Sequence, residues 1–598
     1  ANIISFGAKG AVLLERIRLI DTIKDSQERI RALHHLWLQE ADDEALQQEL
    51  RAIQKDSAAI YDRFYRTLTF GTGGLRGIMG AGPNRMNIYI VREVTRALAG
   101  YLLQRYDTPS VAIAWDSRTG SRRFADEAAQ MLAGCGITVY RYARLAPTPM
   151  LSFAVRRLGC GAGIMITASH NPAQYNGYKV YGADGCQITP GAAQAISQQM
   201  NLAAPFCEPA QVMQAMRGTV HTIDEAVWDD YYHAVLQNRL EQVTPAMQPI
   251  IVYTPLHGTG GIPVTAALTR AGYQKVKVVA SQWEPDGSFP TCATPNPELP
   301  GALEEGLKLC RTLSADLLLA TDPDCDRVGV AARQGDGYHR LSGNEVGVLL
   351  LDYICAARLR HGIMPQNPVA VNTIVTTPMA RRVAHRYGVQ LRQVLTGFKF
   401  IGELIGKLEQ AGQASRYILG FEESCGYLSG SYVRDKDGVN ACLLIADMAT
   451  YYYNQRMTLA EAMEALYQEY GYYLTALETM AMDGEAGMRD MRWLMEQLRA
   501  GAGDAIFAPQ SASLQDFMWG EDDQDAPLRL PSSDVLQYRL EDGTEITVRP
   551  SGTEPMLKVY YSVCCPTREQ AKTALEDYKK RVSTFIGQAL KRRAVKQS

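Results

Sequence analysis

The rhythm of hydrophobic and polar positions changes several times along the 598 residues. Over 11–68, apolar side chains recur three and four positions apart between charges, with no Pro or Gly among them, which predicts helix. Residues 70–87, FGTGGLRGIMGAGPNRMN, predict a Gly-rich loop. Short apolar runs then alternate with amphipathic stretches, giving strands at 111–115, 137–140 and 163–167 and a helix at 121–134. A second set begins near 215–220. It places strands at 250–253, 276–279 and 317–320, the first followed by TPLHGTGG and the last running into an acidic loop, 321–327. A third set places strands near 369–375 and 417–419 and a helix near 438–455. Residues 500–533 lose periodicity and predict a linker or long surface loop. A hairpin follows, 535–540 and 545–548 about Asp542-Gly543, and a basic helix over about 567–592 closes the pattern.

This alternation predicts an α/β fold: three related mixed α/β domains plus a smaller C-terminal α+β domain, which the loops and the resemblance given below imply to lie around a central cleft. The expected divisions are an N-terminal helical extension at 1–68, three α/β domains at 69–215, 216–340 and 341–500, and a linker with the C-terminal domain at 501–598. The length alone exceeds what one hydrophobic core supports.

Composition removes some function classes. A net charge of -3 supplies no global positive field to gather nucleic acid or anionic lipid, so any phosphate must be held by local sites. No stretch approaches the ~20 apolar residues of a membrane span. The 12 cysteines show no zinc spacing and read as reduced, structural thiols. The expectation is a cytoplasmic enzyme with a small-molecule substrate; its oligomeric state is not readable.

Four loops carry candidate chemistry. Thr167-Ala168-Ser169-His170-Asn171-Pro172 follows a strand of small apolar residues, and Asn-Pro forces a turn. Ser169 is thereby offered at the carboxyl end of a strand, where open α/β sheets bind ligands, and a serine there can carry phosphate covalently. In Thr321-Asp322-Pro323-Asp324-Cys325-Asp326-Arg327, three alternating carboxylates could converge on one hard cation. A calcium EF-hand would need Gly and Glu where Arg327 and Arg333 stand. Gly420-Phe421-Glu422-Glu423-Ser424 combines carboxylate and hydroxyl, suited to vicinal sugar hydroxyls. Arg549-Pro550-Ser551-Gly552-Thr553-Glu554-Pro555 offers guanidinium, hydroxyls and open backbone N–H groups, a phosphate cradle. Arg76 in the first Gly-rich segment is a further phosphate ligand candidate. Each loop alone has a bland reading as a polar turn; their conjunction in separate domains does not.

On these motifs the chain resembles the α-D-phosphohexomutase superfamily. TASHNP resembles its phosphoserine loop, TDPDCDR its metal loop, GFEES its sugar-binding loop and RPSGTEP its phosphate-binding loop, in order, over Arg76 to Pro555. FGTGGLRG, the DPD form of the metal loop and GFEES are similar to the longer phosphoglucomutase and phosphopentomutase branch. Cys325 departs from the family, which has a small residue there.

The resemblance implies that Ser169, phosphorylated, joins Asp322, Asp324 and Asp326 on Mg2+, and that Arg327 contacts the phosphoryl group in transfer. It implies substrate contacts from Thr396 and Gly397 in LTGFKF, Glu422, Ser424 and Lys436, with Arg549, Ser551, Gly552 and Thr553 on the non-transferring phosphate. Lys179 and His170 match acid/base positions, with Lys179 favoured as the proton acceptor. The implied activity is interconversion of sugar 1-phosphate and sugar 6-phosphate, glucose first, through a bound bisphosphate, with glucose 1,6-bisphosphate as activator. A phosphopentomutase, a sugar 1,6-bisphosphate synthase, a phosphatase and a silent phosphosugar-binding protein stay open as alternatives.

Overall fold

The structure is a computed structural model that describes residues 8–597 apart from 72–73, 201–205, 207–217, 245, 483, 508–511, 520–529 and 552–555. The chain forms two compact units. One comprises Ala1–Ala331 with Gly426–Thr450, the other Ala332–Cys425 with Tyr451–Ser598.

The first unit opens with four helices, Ala8–Asp21, Ser26–Glu40, Glu44–Ala52 and Ser57–Phe64. No Gly or Pro separates them. The breaks are carboxylate caps instead: Asp25, Asp43 and Asp56 accept backbone N–H groups from the first turns of the second, third and fourth helices. Trp37, 2% exposed, meets Phe64 and Tyr89 edge-on at 6.0 and 5.5 Å, which docks these helices onto helix Ile88–Leu103.

The next sheet has six strands: β1 (Gly74–Ile78), β2 (Ser110–Trp115), β3 (Thr138–Arg141), β4 (Ala162–Ile166), β5 (Tyr175–Gly182) and β6 (Val220–Thr222), in the order β1-β5-β4-β2-β3-β6. Helices Ser121–Gly134 and Thr148–Arg157 pack beside β2 and β4. Part of the expected Gly-rich loop is therefore β1, paired antiparallel to β5 with Gly74 opposite Lys179 and Arg76 opposite Gly177. Backbone pairing overrides weak glycine propensity there.

A second sheet holds β7 (Ile251–Thr254), β8 (Val276–Val278), β9 (Leu317–Thr321) and the start of β10 (Val328–Gln334), with β7 parallel to both β8 and β9. β4, β7 and β9 are buried at every position, as inner strands of sheets covered on both faces must be. Gly438–Asn454, whose residues to Thr450 belong to this unit, is the expected helix.

In the second unit, strand Val369–Thr373 pairs in parallel with Gln390–Val394 and with Tyr417–Glu422. The last strand runs three residues beyond the expected 417–419, so Glu422 ends a buried strand and does not lie in a loop. A five-stranded antiparallel sheet follows, in the order Tyr472–Ala481, Met556–Cys565, Glu545–Pro550, Leu536–Leu540, Ala512–Asp516. The expected hairpin is its centre. The stretch 500–533 is not simply linker: Gly503–Phe507 is helical, Phe507 is 1% exposed, and Ala512–Asp516 is the edge strand against Leu536–Leu540. Edge strands need no strict alternation, which hid this one. Helix Arg568–Gln597 covers the sheet through Ala571, Tyr578, Val582 and Ile586.

Candidate active site

In the first unit, β4 ends at Ile166 and the chain enters the serine loop. Ser169 is 3% exposed and adopts φ 52°, a left-handed conformation that a non-glycine residue seldom takes and that recurs at functional sites. Its backbone N–H donates to Thr167 Oγ1 at 2.8 Å, and its hydroxyl donates to Asp322 Oδ2 at 2.8 Å, 153 residues away in sequence. Imidazole Nδ1 of His170 lies 3.2 Å from the same hydroxyl.

The acidic loop follows β9 in the same way. Asp322, Asp324 and Asp326 are at most 2% exposed, and one carboxylate oxygen from each lies within 4.8 Å of the others. Such crowding is costly without compensating charge. Part of the compensation comes from lysines. Lys179 Nζ lies 2.7 Å from Asp324 Oδ2 and 3.6 Å from Asp326 Oδ2, and Lys436 Nζ lies 3.1 Å from Asp326 Oδ2. Burial and the two neighbouring carboxylates push Asp322 well above the usual carboxylate range. Burial works against the Asp324 carboxylate, but the Lys179 ammonium and the Thr148 hydroxyl at 2.9 Å hold it far below that range. Asp324 Oδ1 and Asp326 Oδ1 are buried and accept no hydrogen bond from any described residue. Two such oxygens beside the Asp322 carboxylate fit a small hard cation.

Burial opposes the Lys179 charge, yet Asp324 and Asp326 raise its pKa above that of an ordinary lysine, which runs against the expectation that Lys179 takes up the proton. Burial, Arg327 and Arg76 push His170 well below the usual imidazole range. Arg327 donates to Glu298 Oε1 at 2.7 Å, and its own backbone N–H donates to Asp322 Oδ1 at 3.0 Å. Arg76 donates to Asn171 Oδ1 at 2.9 Å, from β1 to the serine loop.

The close packing of β1, β5 and the serine loop leaves no room at Gly177. A Cβ there would fall 2.5 Å from Thr167 O and 2.8 Å from Leu75 O, backbone on both sides. Gly177→Ala should therefore lower both the melting temperature and turnover, as overpacked positions do, by about 1–3 kcal/mol in urea unfolding.

The second unit groups the remaining candidates. The Gly397 N–H donates to Glu422 Oε1 at 2.9 Å, and Arg549 donates to Thr396 Oγ1. Glu423 Oε2 accepts from Thr373 Oγ1 at 3.1 Å. Ser424 follows at the end of the same strand and is half-buried, and Ser551 is tied by its N–H to Met556 O at 2.7 Å. Gly552 and Thr553 lie outside the described residues.

Sequence reasoning missed Asp116, Arg118, Thr148, Tyr181 and Asp435. The first two follow β2 as directly as the serine loop follows β4, and β2 and β4 are neighbours; polar residues closing a buried strand were the available signal. Tyr181 donates to Asp435 Oδ2 at 2.7 Å across 254 residues, and nothing local announces it.

Models of the phosphoglucomutase/phosphomannomutase family match the chain four times in order: α/β/α domain I over residues 67–204, domain II over 229–335, domain III over 342–470 and the C-terminal domain over 499–578. The chain belongs to this family and is a phosphotransferase of the mutase type. The phosphoglucomutase of Staphylococcus haemolyticus strain JCSC1435 is 34% identical over 523 residues, 86% of this chain and 94% of that protein. The phosphoglucomutase of Staphylococcus aureus strain USA300 is 34% identical over 540 residues, 89% and 95% of the two chains. Among solved structures, the open form of parafusin, a phosphoglucomutase from Paramecium, matches with TM-score 0.66 at 18% identity, covering 88% of this chain and 96% of its own. A phosphoglucomutase/phosphomannomutase family protein from Burkholderia thailandensis matches with TM-score 0.61 at 18% identity, covering 86% and 97%. These two share the fold. No helix among the described residues is long and apolar enough to cross a membrane.

Proposed function

We propose that this enzyme interconverts glucose 1-phosphate and glucose 6-phosphate through phosphoserine at Ser169, with Mg2+ held by Ser169, Asp322, Asp324 and Asp326. The observation that carries this reading is the 2.8 Å contact between the Ser169 hydroxyl and Asp322 inside a buried tricarboxylate cluster. When bound, the divalent ion supplies Lewis-acid stabilisation of charge on phosphoryl oxygens.

The chain's own groups account for the rest. The phosphoryl group on Ser169 Oγ passes to the free hydroxyl of a sugar monophosphate: an O–P bond to the sugar forms as the Oγ–P bond breaks, and a sugar bisphosphate results. Its other phosphate then returns to Oγ. The proton of the attacking sugar hydroxyl passes through His170, whose Nδ1 lies 3.2 Å from Oγ, onto Oγ as its bond to phosphorus breaks, and travels back when the other phosphate returns. Arg327, released from Glu298, and Lys179 balance negative charge at the transferring group. Lys436, Glu422, Ser424, Thr396 and Gly397 orient the sugar, and Arg76 assists on the serine-loop side. Arg549, Ser551, Gly552 and Thr553 park the idle phosphate by charge and hydrogen bonding, which suits either orientation of the bisphosphate. Glucose 1,6-bisphosphate primes the serine.

A coupled assay on glucose 1-phosphate, mannose 1-phosphate and ribose 1-phosphate tests the substrate, with glucose expected to give the highest kcat/KM. Faster turnover of the ribose ester would make the enzyme a phosphopentomutase. Phosphate release without isomerised product would make it a phosphatase. Arg549→Ala should raise KM about tenfold or more with a smaller change in kcat, as loss of a charge-assisted phosphate contact does. Unaltered kinetics would remove Arg549 from the cradle.

A further inference from the structure

The geometry points to Arg118 as the positioning residue of the phosphoryl-carrying loop: one buried guanidinium holds the backbone of residues 169–175 in the shape that presents Ser169 Oγ. This rests on reading Ser169 as the carrier. Arg118 is 3% exposed. Its Nη2 donates to Ser169 O at 2.6 Å and to Asn171 O, and its Nη1 donates to Pro172 O at 2.9 Å and Tyr175 O at 3.1 Å. Four carbonyls of one loop therefore converge on one planar fork. An arginine can make that pattern and a lysine cannot.

The guanidinium is itself fixed. Asp116 Oδ2 lies 3.4 Å from Arg118 Nε, and the same carboxylate accepts from Thr167 Oγ1 at 2.6 Å, from Ser121 Oγ at 2.7 Å and from the Arg118 N–H at 3.0 Å. Thr167 Oγ1 in turn accepts the Ser169 N–H at 2.8 Å. The pair Asp116–Arg118 thus grips Ser169 from both sides of its α-carbon, through N–H on one and C=O on the other, at the residue whose φ is 52°. Left alone, a serine would relax from that conformation.

The second α/β domain seats on the same arginine. Phe289 lies beneath the guanidinium with the ring centroid 5.0 Å away, and Gly287 approaches so closely that a Cβ would sit 2.3 Å from Thr119 N. The loop carrying them is tied at Asp286 N–H to His257 O at 3.1 Å, in TPLHGTGG, and the Thr259 N–H of that motif donates to Pro323 O at 2.8 Å in the acidic loop. Arg118 is therefore where the registers of the serine loop and the acidic loop are set against each other.

The test uses the full chain as wild type, Arg118→Lys, Arg118→Met and Ser169→Ala. It reads kcat and KM for glucose 1-phosphate, the rate of phosphate incorporation at Ser169 from glucose 1,6-bisphosphate by intact mass, and the melting temperature. Arg118→Met should lower kcat and incorporation together by about 10²-fold, with KM within about threefold, because the nucleophile is misplaced while substrate contacts remain. Arg118→Lys keeps the charge beside Asp116 but reaches fewer carbonyls, so it should melt near wild type and recover about tenfold of the loss. A folded Arg118→Lys enzyme with wild-type kcat and incorporation overturns the assignment. So does failure of Arg118→Lys to fold, which would make the arginine a folding element only. Turnover by Ser169→Ala would instead sink the carrier reading, whatever the arginine variants do.

Discussion

Ser169→Ala should lower mutase turnover by at least about 10³-fold while the protein still folds, which corresponds to about 4 kcal/mol of transition-state stabilisation. Removing one hydroxyl deletes the proposed phosphoryl carrier, and the neighbouring threonine hydroxyls do not substitute for it. Thr167 Oγ1 is committed to Asp116 and to the Ser169 N–H, and Thr148 Oγ1 to Asp324. The variant loses a hydrogen bond to Asp322 and nothing from the core, so its melting temperature should stay within a few degrees of wild type. Incubation with glucose 1,6-bisphosphate followed by intact mass should show a phosphate on wild type and none on the variant. Residual turnover above about 1% of wild type would refute a covalent carrier at this position.

Asp324→Asn has the next largest expected effect. The substitution keeps the shape and removes one of three carboxyl groups from a cluster in which one oxygen of each lies within 4.8 Å of the others. Magnesium-dependent rate should fall by about 10²-fold or more, since a direct ligand matters at least as much as the groups that merely orient one. Activity is not the only readout. In wild type, added Mg2+ should raise the melting temperature, by an amount equivalent to about 2.7 kcal/mol at a hundredfold excess over Kd. In the variant that rise should vanish. A variant whose melting point still climbs with Mg2+ to the wild-type extent would reject Asp324 as a ligand. With EDTA present the variant should melt below wild type, because Lys179 and Thr148 hold the Asp324 carboxylate more strongly than its neighbours repel it.

The chemistry-bearing loops were legible because each is a dense polar cluster placed directly after an apolar strand. A buried strand running into Asp322, Asp324 and Asp326 is improbable without a charge-balancing purpose, and the serine loop announces its turn through Asn-Pro. What stayed hidden had no local contrast. Arg118 sits three residues past Trp115 and reads as an ordinary surface turn until four carbonyls from 169–175 are seen around it. Strand β5, YNGYKVYG, is too polar and too rich in Gly to look buried, yet six of its eight residues are, because Lys179 finds carboxylates and Tyr178 finds Thr95 at 2.9 Å. The N-terminal helix breaks were readable in principle: Asp25, Asp43 and Asp56 each stand where a cap belongs, but aspartate inside a charged, periodic stretch passes for one more solvated face. Cys325 has φ 53°, a left-handed conformation that glycine adopts at no steric cost; no spacing rule reveals that.

The same two units have a consequence for how the protein is made. The segment 426–450 belongs with residues 1–331, although the ribosome reaches it only after the start of the other unit. Within that segment the Gly438 N–H donates to Cys325 O at 3.0 Å, Asp437 accepts from Tyr231 Oη at 2.9 Å, and Lys436 reaches Asp326. A nascent chain that has already emitted its serine and its three aspartates still lacks the latch that closes behind them. The serine and acidic loops go without that latch until residue 450 has left the exit tunnel, and a gene fragment stopping at 331 would encode both loops without it.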